Sequence, residues 1–264
     1  MPRVCQVLRV FTRGDEGGNA LGVVNDIVEL SDDRMQAIAT DLGFSETVFV
    51  DWPEGEPPVV RIFTPALELP FAGHPLVGTA WTMLTLGPGG VDRLRCGIGE
   101  VAVGMDGSAA WVTAPIDATN AASVDLGDLA KRASLPQPAR SWIVNLPMEY
   151  VILEYPDAAS VAGADPDLGV LSEHFGTLVF ARDDARVRAR FFAPAGGVPE
   201  DPATGSAAVA LATALVASAE PEGHVTVDQG EEMGHPSRID LSWTTATARI
   251  GGTCVRDEIR FLDD

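Results

Sequence analysis

Three short stretches carry the side chains best suited to moving a proton. "FSETVFV" (residues 44–50) sets a carboxylate, Glu46, in a run with the β-branched and aromatic content of a strand. Alternation puts Phe44, Glu46, Val48 and Val50 on one face, so the carboxylate is expected to share its side with apolar neighbours. Desolvation there would raise its pKa toward the range in which a general base works near neutral pH. "FAGHP" holds His74 just ahead of Pro75, which suits a first helical turn. "EDPATGSA" places Asp201, Thr204, Gly205 and Ser206 at a second turn of the same kind.

Each turn opens a run without charge, "PLVGTAWTMLTLG" or "SAAVALATALVAS". Helices apolar all round are expected to be buried. A helix N-terminus leaves N–H groups unpaired and carries partial positive charge. Two such termini facing one cleft would suit a carboxylate substrate or an enolate-like intermediate. Taken alone, Asp201, Thr204 and Ser206 read more simply as helix caps, and His74 as a structural histidine. No G-x-S-x-G elbow, HExxH, metal-ligand histidine spacing, G-x-G-x-x-G or Walker A sequence occurs, which leaves acid–base chemistry by carboxylate and imidazole.

The elements that must position these groups repeat. "RIFTPALELPFAGHP" from Arg61 and "RFFAPAGGVPEDPATGS" from Arg190 share Arg, apolar, Phe, small, Pro, then an acid, a glycine turn and the apolar helix. Aligning Gly73-His74 with Gly205-Ser206 needs a three-residue insertion in the second copy. The repeat argues for a duplicated α/β fold of two similar halves, each a curved sheet around its own buried helix. The order opens β-β-α-β-β, with a helix over "SDDRMQAIATDLG" capped by Ser31. The halves are taken as residues 1–118, with a C-terminal strand available to complete it, and 119–264.

Composition bounds the rest. A hydrophobic fraction of 46% with 21% charged residues is that of a globular protein. A net charge of −20 disfavours nucleic acid and anionic membrane partners. Cys5, Cys96 and Cys254 form no paired spacing, the N-terminus shows no signal-peptide core, and no run is long enough to span a bilayer. A cytoplasmic setting is expected.

"GNALGVV", "GFSETVFV", "RIFTPALELPFAGHPLVGTAW", "EDPATGSAAVALA" and "DQGEEMGHPS" occur in an order that resembles the PhzF-like isomerase family of phenazine biosynthesis, relatives of diaminopimelate epimerase. The resemblance spans about residues 8 to 240. It implies two pseudo-symmetric halves, each a rolled, mostly antiparallel sheet around a central helix, with the active site between them. It also implies proton transfer without cofactor or metal, on a small carboxylate substrate, in a homodimer. Carried over by motif, Glu46 would be the acid–base, with His74 and Asp201 beside the substrate. Gly73 and Ser206 with their turns, Thr204 and Gly205 included, would bind its carboxylate, and Asn19 would lie near.

The epimerase relatives use a cysteine pair at the helix starts. Here those positions read as Ala72 and the Pro202–Ala203 region, which disfavours a two-thiol racemase. Two departures bear on substrate choice: Ala20 and His235 stand where the family more often has proline and arginine. The leading expectation is a double-bond isomerase of secondary metabolism. An amino- or imino-acid epimerase or racemase, and a non-catalytic ligand-binding or self-protection paralogue, are the rivals.

Overall fold

The structure is a computed structural model that describes residues 3–25, 27, 30–87 and 90–262. The first half contains β1 (Arg3–Thr12), β2 (Asn19–Asn25), α1 (Asp32–Leu42), β3 (Glu46–Asp51), β4 (Val59–Phe63), β5 (Glu68–Leu69), α2 (Gly73–Thr85), β6 (Arg93–Cys96), β7 (Gly99–Asp106) and β8 (Ala109–Pro115). The second contains β9 (Ala121–Ser123), α3 (Gly127–Arg132), β10 (Arg140–Leu146), β11 (Met148–Tyr155), α4 (Ala158–Ala162), α5 (Leu168–Leu171), β12 (Gly176–Asp183), β13 (Arg186–Ala193), β14 (Val198–Asp201), α6 (Gly205–Ala217), β15 (Gly223–Gln229), β16 (Ser237–Trp243) and β17 (Thr247–Leu262).

The duplication expected from the sequence is present strand by strand. In the first half β2 pairs parallel with β3, β3 antiparallel with β4, β4 parallel with β6, and β6, β7 and β8 follow antiparallel. In the second the same series runs β11, β12, β13, β15, β16, β17. The likeness reaches side chains. Arg61 grips Glu68 at 2.8 and 2.6 Å and stacks over Phe63. Arg190 grips Glu200 at 2.8 Å twice and stacks over Phe192. The extra residues of the second copy fall in the turn before β14, around the short helical turn Pro194–Gly196.

Both uncharged helices are swallowed by their sheets. Leu76, Val77 and Ala80 of α2, and Val209, Leu211 and Leu215 of α6, belong to one central core. A helix with no polar stripe has no orientation that would suit water, so the rolled sheet is what lets it form. Smaller cores lie outside the sheets: Met35, Ile38 and Ala39 of α1 against Phe49 and Phe63, and Leu129, Val161 and Leu171 against Val151 and Val179. Ser31 caps α1 by accepting from Arg34 N–H at 3.3 Å, and Gly43 ends it in the left-handed conformation.

Strand β17 serves both halves. Its first part lies between β8 and β16, and its second pairs with β1 from Thr12↔Thr253 to Arg3↔Leu262. Because β8 leads to β17, β17 to β1, and β1 to β2, the first half's sheet closes on itself. Among the described residues, no helix is long and apolar enough to cross a membrane.

Candidate active site

Glu46 is the first residue of β3, held by parallel pairing to Leu21 of β2. Val48 and Val50 point with it into the central core, as alternation requires. Phe44 does not: it precedes the strand and packs instead with the α1 cluster. The Glu46 side chain is 13% exposed, its Oε2 is buried without a hydrogen-bond partner, and the same oxygen lies 3.3 Å from His74 Nδ1. Burial, and secondarily the charge of Asp201, push its pKa well above the ordinary carboxylate range.

His74, the second residue of α2, is buried, and desolvation lowers its pKa to about 3 against a weaker opposing contact with the Ala20 backbone. It is therefore a neutral imidazole at physiological pH. The amide of Asn19 faces three acceptors, Asp201 Oδ1 at 2.8 Å, Ala203 O at 3.0 Å and His74 Nδ1 at 3.3 Å. It has two hydrogens, and the two nearer acceptors take them. That leaves His74 Nδ1 to face Glu46, able to donate to the carboxylate or accept from the acid.

Asp201 ends β14. It accepts from Asn19 at Oδ1 and from the Thr204 hydroxyl at Oδ2, 2.5 Å away. Burial raises its pKa to about 6, opposed by these donors and by Ser45, with the charge of Glu200 adding a smaller upward push. Two carboxyls of one cavity thus differ: donors hold Asp201 toward the ionised form, and Glu46, without them, holds its proton more firmly.

The helix starts meet. A Cβ at Gly73 would lie 2.6 Å from Gly205 Cα, and one at Gly205 would lie 2.8 Å from Gly73 Cα, so only glycine allows the approach. Neither helix receives a side-chain cap. Thr204 stands at the N-cap position of α6 but turns its hydroxyl to Asp201, and Ala72 has none to offer. The simple reading of Thr204 as a cap is therefore corrected. First-turn N–H groups of both helices remain without side-chain caps, where dipole and donors favour an anion.

A cavity of about 30 Å³ lies among Glu46, Asp201, Thr204 and Ser206 on the polar side, with Thr64, Leu69, Phe175, Phe191, Ala193, Gly196 and Val198 completing it. Asn19, His74 and the two glycines stand behind this wall and position it. Tyr150, at the start of β11, was not anticipated from the sequence: it contacts Phe175 and Phe191, shares a hydrogen bond with the Ser206 side chain and feels the charge of Glu46. Ser45 and Gln229 were also missed, although both sit inside the motifs quoted above. His235 is exposed and is not among the residues lining the cavity.

The two halves contribute unequally. Strand register makes Gly176 the counterpart of Glu46 and Leu69 the counterpart of Asp201. The cap positions of the two helices show that Thr204, rather than the Pro202–Ala203 stretch, matches Ala72. Neither position is a thiol, and Cys5, Cys96 and Cys254 are buried elsewhere. A Cβ at Gly176 would fall 2.2 Å from the Phe191 ring, so an aromatic wall occupies the space in which a second base would stand.

Comparison with known proteins agrees with this geometry. The sequence profile "PhzC-PhzF: Phenazine biosynthesis-like protein" matches residues 8–256. A trans-2,3-dihydro-3-hydroxyanthranilate isomerase from Pseudomonas chlororaphis is 34% identical over 244 residues, covering 88% of this chain and 87% of its own. An uncharacterized isomerase from Mesorhizobium japonicum is 32% identical, covering 94% of each. Among solved structures, a predicted epimerase from Pseudomonas aeruginosa superposes with a TM-score of 0.80 at 29% identity over all of both chains. A probable proline racemase from Agrobacterium radiobacter shares the fold at a TM-score of 0.70 and 9% identity, over 99% of this chain and 93% of its own.

Proposed function

The chain belongs to the phenazine biosynthesis-like family and is an isomerase; from that premise we propose that it shifts a double bond in a small carboxylated ring or diene by carrying one proton on Glu46. The observation that carries this reading is the buried Glu46 Oε2, without a hydrogen-bond partner, on a carboxylate that lines the cavity. A buried acceptor left open costs stability unless something else uses it.

Ionised Glu46 takes a proton from a substrate carbon, and the released electron pair moves into the conjugated system. The protonated carboxyl returns the proton to a second carbon on the same face, so substrate and product differ only in the position of hydrogen and double bond. Burial and the neighbouring Asp201 charge make Glu46 a strong base and then a stable proton carrier. Neutral His74 lies 3.3 Å from the same oxygen and sets no charge beside it. The substrate carboxylate lies against Ser206 and the uncapped helix starts, which also oppose charge building up during the transfer. Ligand pockets usually measure roughly 300–1,000 Å³, so the walls of the cavity must part to admit a ring.

The test uses trans-2,3-dihydro-3-hydroxyanthranilate, the compound in the relatives' names. Glu46→Gln is expected to lose about 10³-fold in turnover, with ligand binding and cooperative unfolding retained. Turnover in D2O should place deuterium at a substrate carbon. Wild-type rates in the variant would reject the assignment. Chiral analysis with imino-acid substrates separates the epimerase alternative, and no inversion is expected because the counterpart of Glu46 in the second half is Gly176, which has no side chain to act as a second base.

A further inference from the structure

Gln229 closes β15, is 1% exposed, and does not line the cavity, yet every polar atom of its side chain is used on the turn that carries Asp201. Its Nε2 donates to Asp201 O at 2.7 Å and to Thr204 Oγ1 at 3.0 Å, while its Oε1 accepts from Thr204 N–H at 3.3 Å. A flipped amide would set acceptor against acceptor and donor against donor, so the three partners admit one orientation. The residues around Gln229 brace it. Neighbouring Asp228 is gripped by Arg13 at 3.1 Å, Arg186 at 2.5 Å and Arg238 at 3.4 Å. A Cβ at Gly230 would meet Pro202 O at 2.6 Å, so the chain turns directly onto the Asp201–Thr204 segment.

The consequence for Thr204 is a matter of counting hydrogens. Its hydroxyl has one hydrogen and accepts from Gln229, so that hydrogen goes to Asp201 Oδ2. With Asn19 on Oδ1, both oxygens of the carboxylate are fixed in place. We propose that Gln229 is a positioning residue: acting through Thr204, it aims the Asp201 carboxylate into the cavity and keeps it an acceptor.

This inference rests on the reading of Asp201 as a group of the reacting site. The ionisable groups around Asp201 are Glu46 on β3, His74 on α2 and Glu200 on its own strand. None of them donates to Oδ2; beside Ser45, which also bonds the carboxylate, the donor there is the Thr204 hydroxyl that Gln229 orients.

The test is the pH profile of kcat/KM for five single variants and one double variant, measured with the substrate named above. Asp201→Asn is expected to remove the Asp201 inflection from the acidic limb, leaving that of Glu46, together with most activity. The near-isosteric Thr204→Val should move the Asp201 inflection up by about one pH unit, because a charge-assisted hydrogen bond to the ionised form is lost, and Gln229→Met should move it the same way, because the Thr204 hydroxyl is then free to turn its hydrogen from Oδ2. The double variant should move it no further than Thr204→Val alone, since both changes cut one chain. Thr204→Ser should restore the wild-type profile. Gln229→Glu, which keeps size and the acceptor for Thr204 N–H but cannot donate to Oγ1, serves if the methionine variant fails to fold, and its limb should also rise.

A limb that stays in place in the Gln229 variants, or additive shifts in the double variant, overturns the inference. An Asp201→Asn enzyme that keeps wild-type activity and both inflections of its acidic limb overturns the reading beneath it instead.

Discussion

Glu46 and Asp201 share one cavity and cannot both be comfortable as anions, and the balance between them has a measurable cost. Each has a folded pKa above its unfolded value, so the folded chain binds protons more tightly. Below about pH 4 both are neutral in either state and folding bears no penalty. As pH rises through about 6 for Asp201, and through the raised pKa of Glu46, the folded chain must bury charge and stability falls. Glu46→Gln should therefore unfold a few °C higher than wild type at pH 8, about 2–4 °C per kcal/mol released, with the difference vanishing below about pH 4. Calorimetry across that range checks it. His74 runs the other way: its folded pKa is depressed to about 3, so its contribution is present above its ordinary value of 6.5 and lost as pH falls. At this scale Glu46 stood out because a carboxylate breaks the apolar patterning of its strand face, whereas His74 and Asp201 obey the rules of a helix start and were singled out by the repeat and the family motifs. Tyr150 and Gln229 break none. One reads as an ordinary strand aromatic and the other as a strand-end amide, and only pairing between distant strands brings them to the site.

The two buried helices were legible from the absence of charge, and their shared origin from the repeated Arg-x-Phe and glycine turn. How closely they meet was not, because a glycine in a turn reads as local punctuation. Contact between Gly73 and Gly205 is a long-range demand on size. Alanine at either position would drive a methyl group into the backbone of the other helix, a clash no rotamer relieves. Gly73→Ala and Gly205→Ala should each cost about 1–3 kcal/mol, read as a drop in denaturation midpoint. Activity should fall further than stability, since the first-turn N–H groups are displaced from the substrate carboxylate. Gly90→Ala, where a Cβ would meet nothing within 4 Å, is the contrasting control. Its left-handed φ of 74° adds a strain that involves no contact with the site.

The whole molecule depends on β17. The sequence suggested two halves, the first with a C-terminal strand available to complete it; that one strand finishes both emerges only from the pairing. That was hard to read because "TARIGGTCVRDEIRFL" has the alternation of any strand, and alternation does not name a partner. Deleting Val255–Leu262 would strip β1 of its β17 partners from Arg9 to Arg3 and leave Cys5 and Val7, both in the outer core, beside an open edge. The expected result is an aggregation-prone chain with a lowered unfolding temperature, measured by light scattering during a thermal ramp. The same strand also imposes an order on biosynthesis. Arg3 of β1 leaves the ribosome before its partner Leu262, which follows only after the intervening chain is made. At about 5–20 residues per second that wait is roughly 10–50 s. Throughout it the nascent first half carries an unclosed sheet, so the time of greatest exposure to chaperones and proteases is set by translation rather than by the speed of folding.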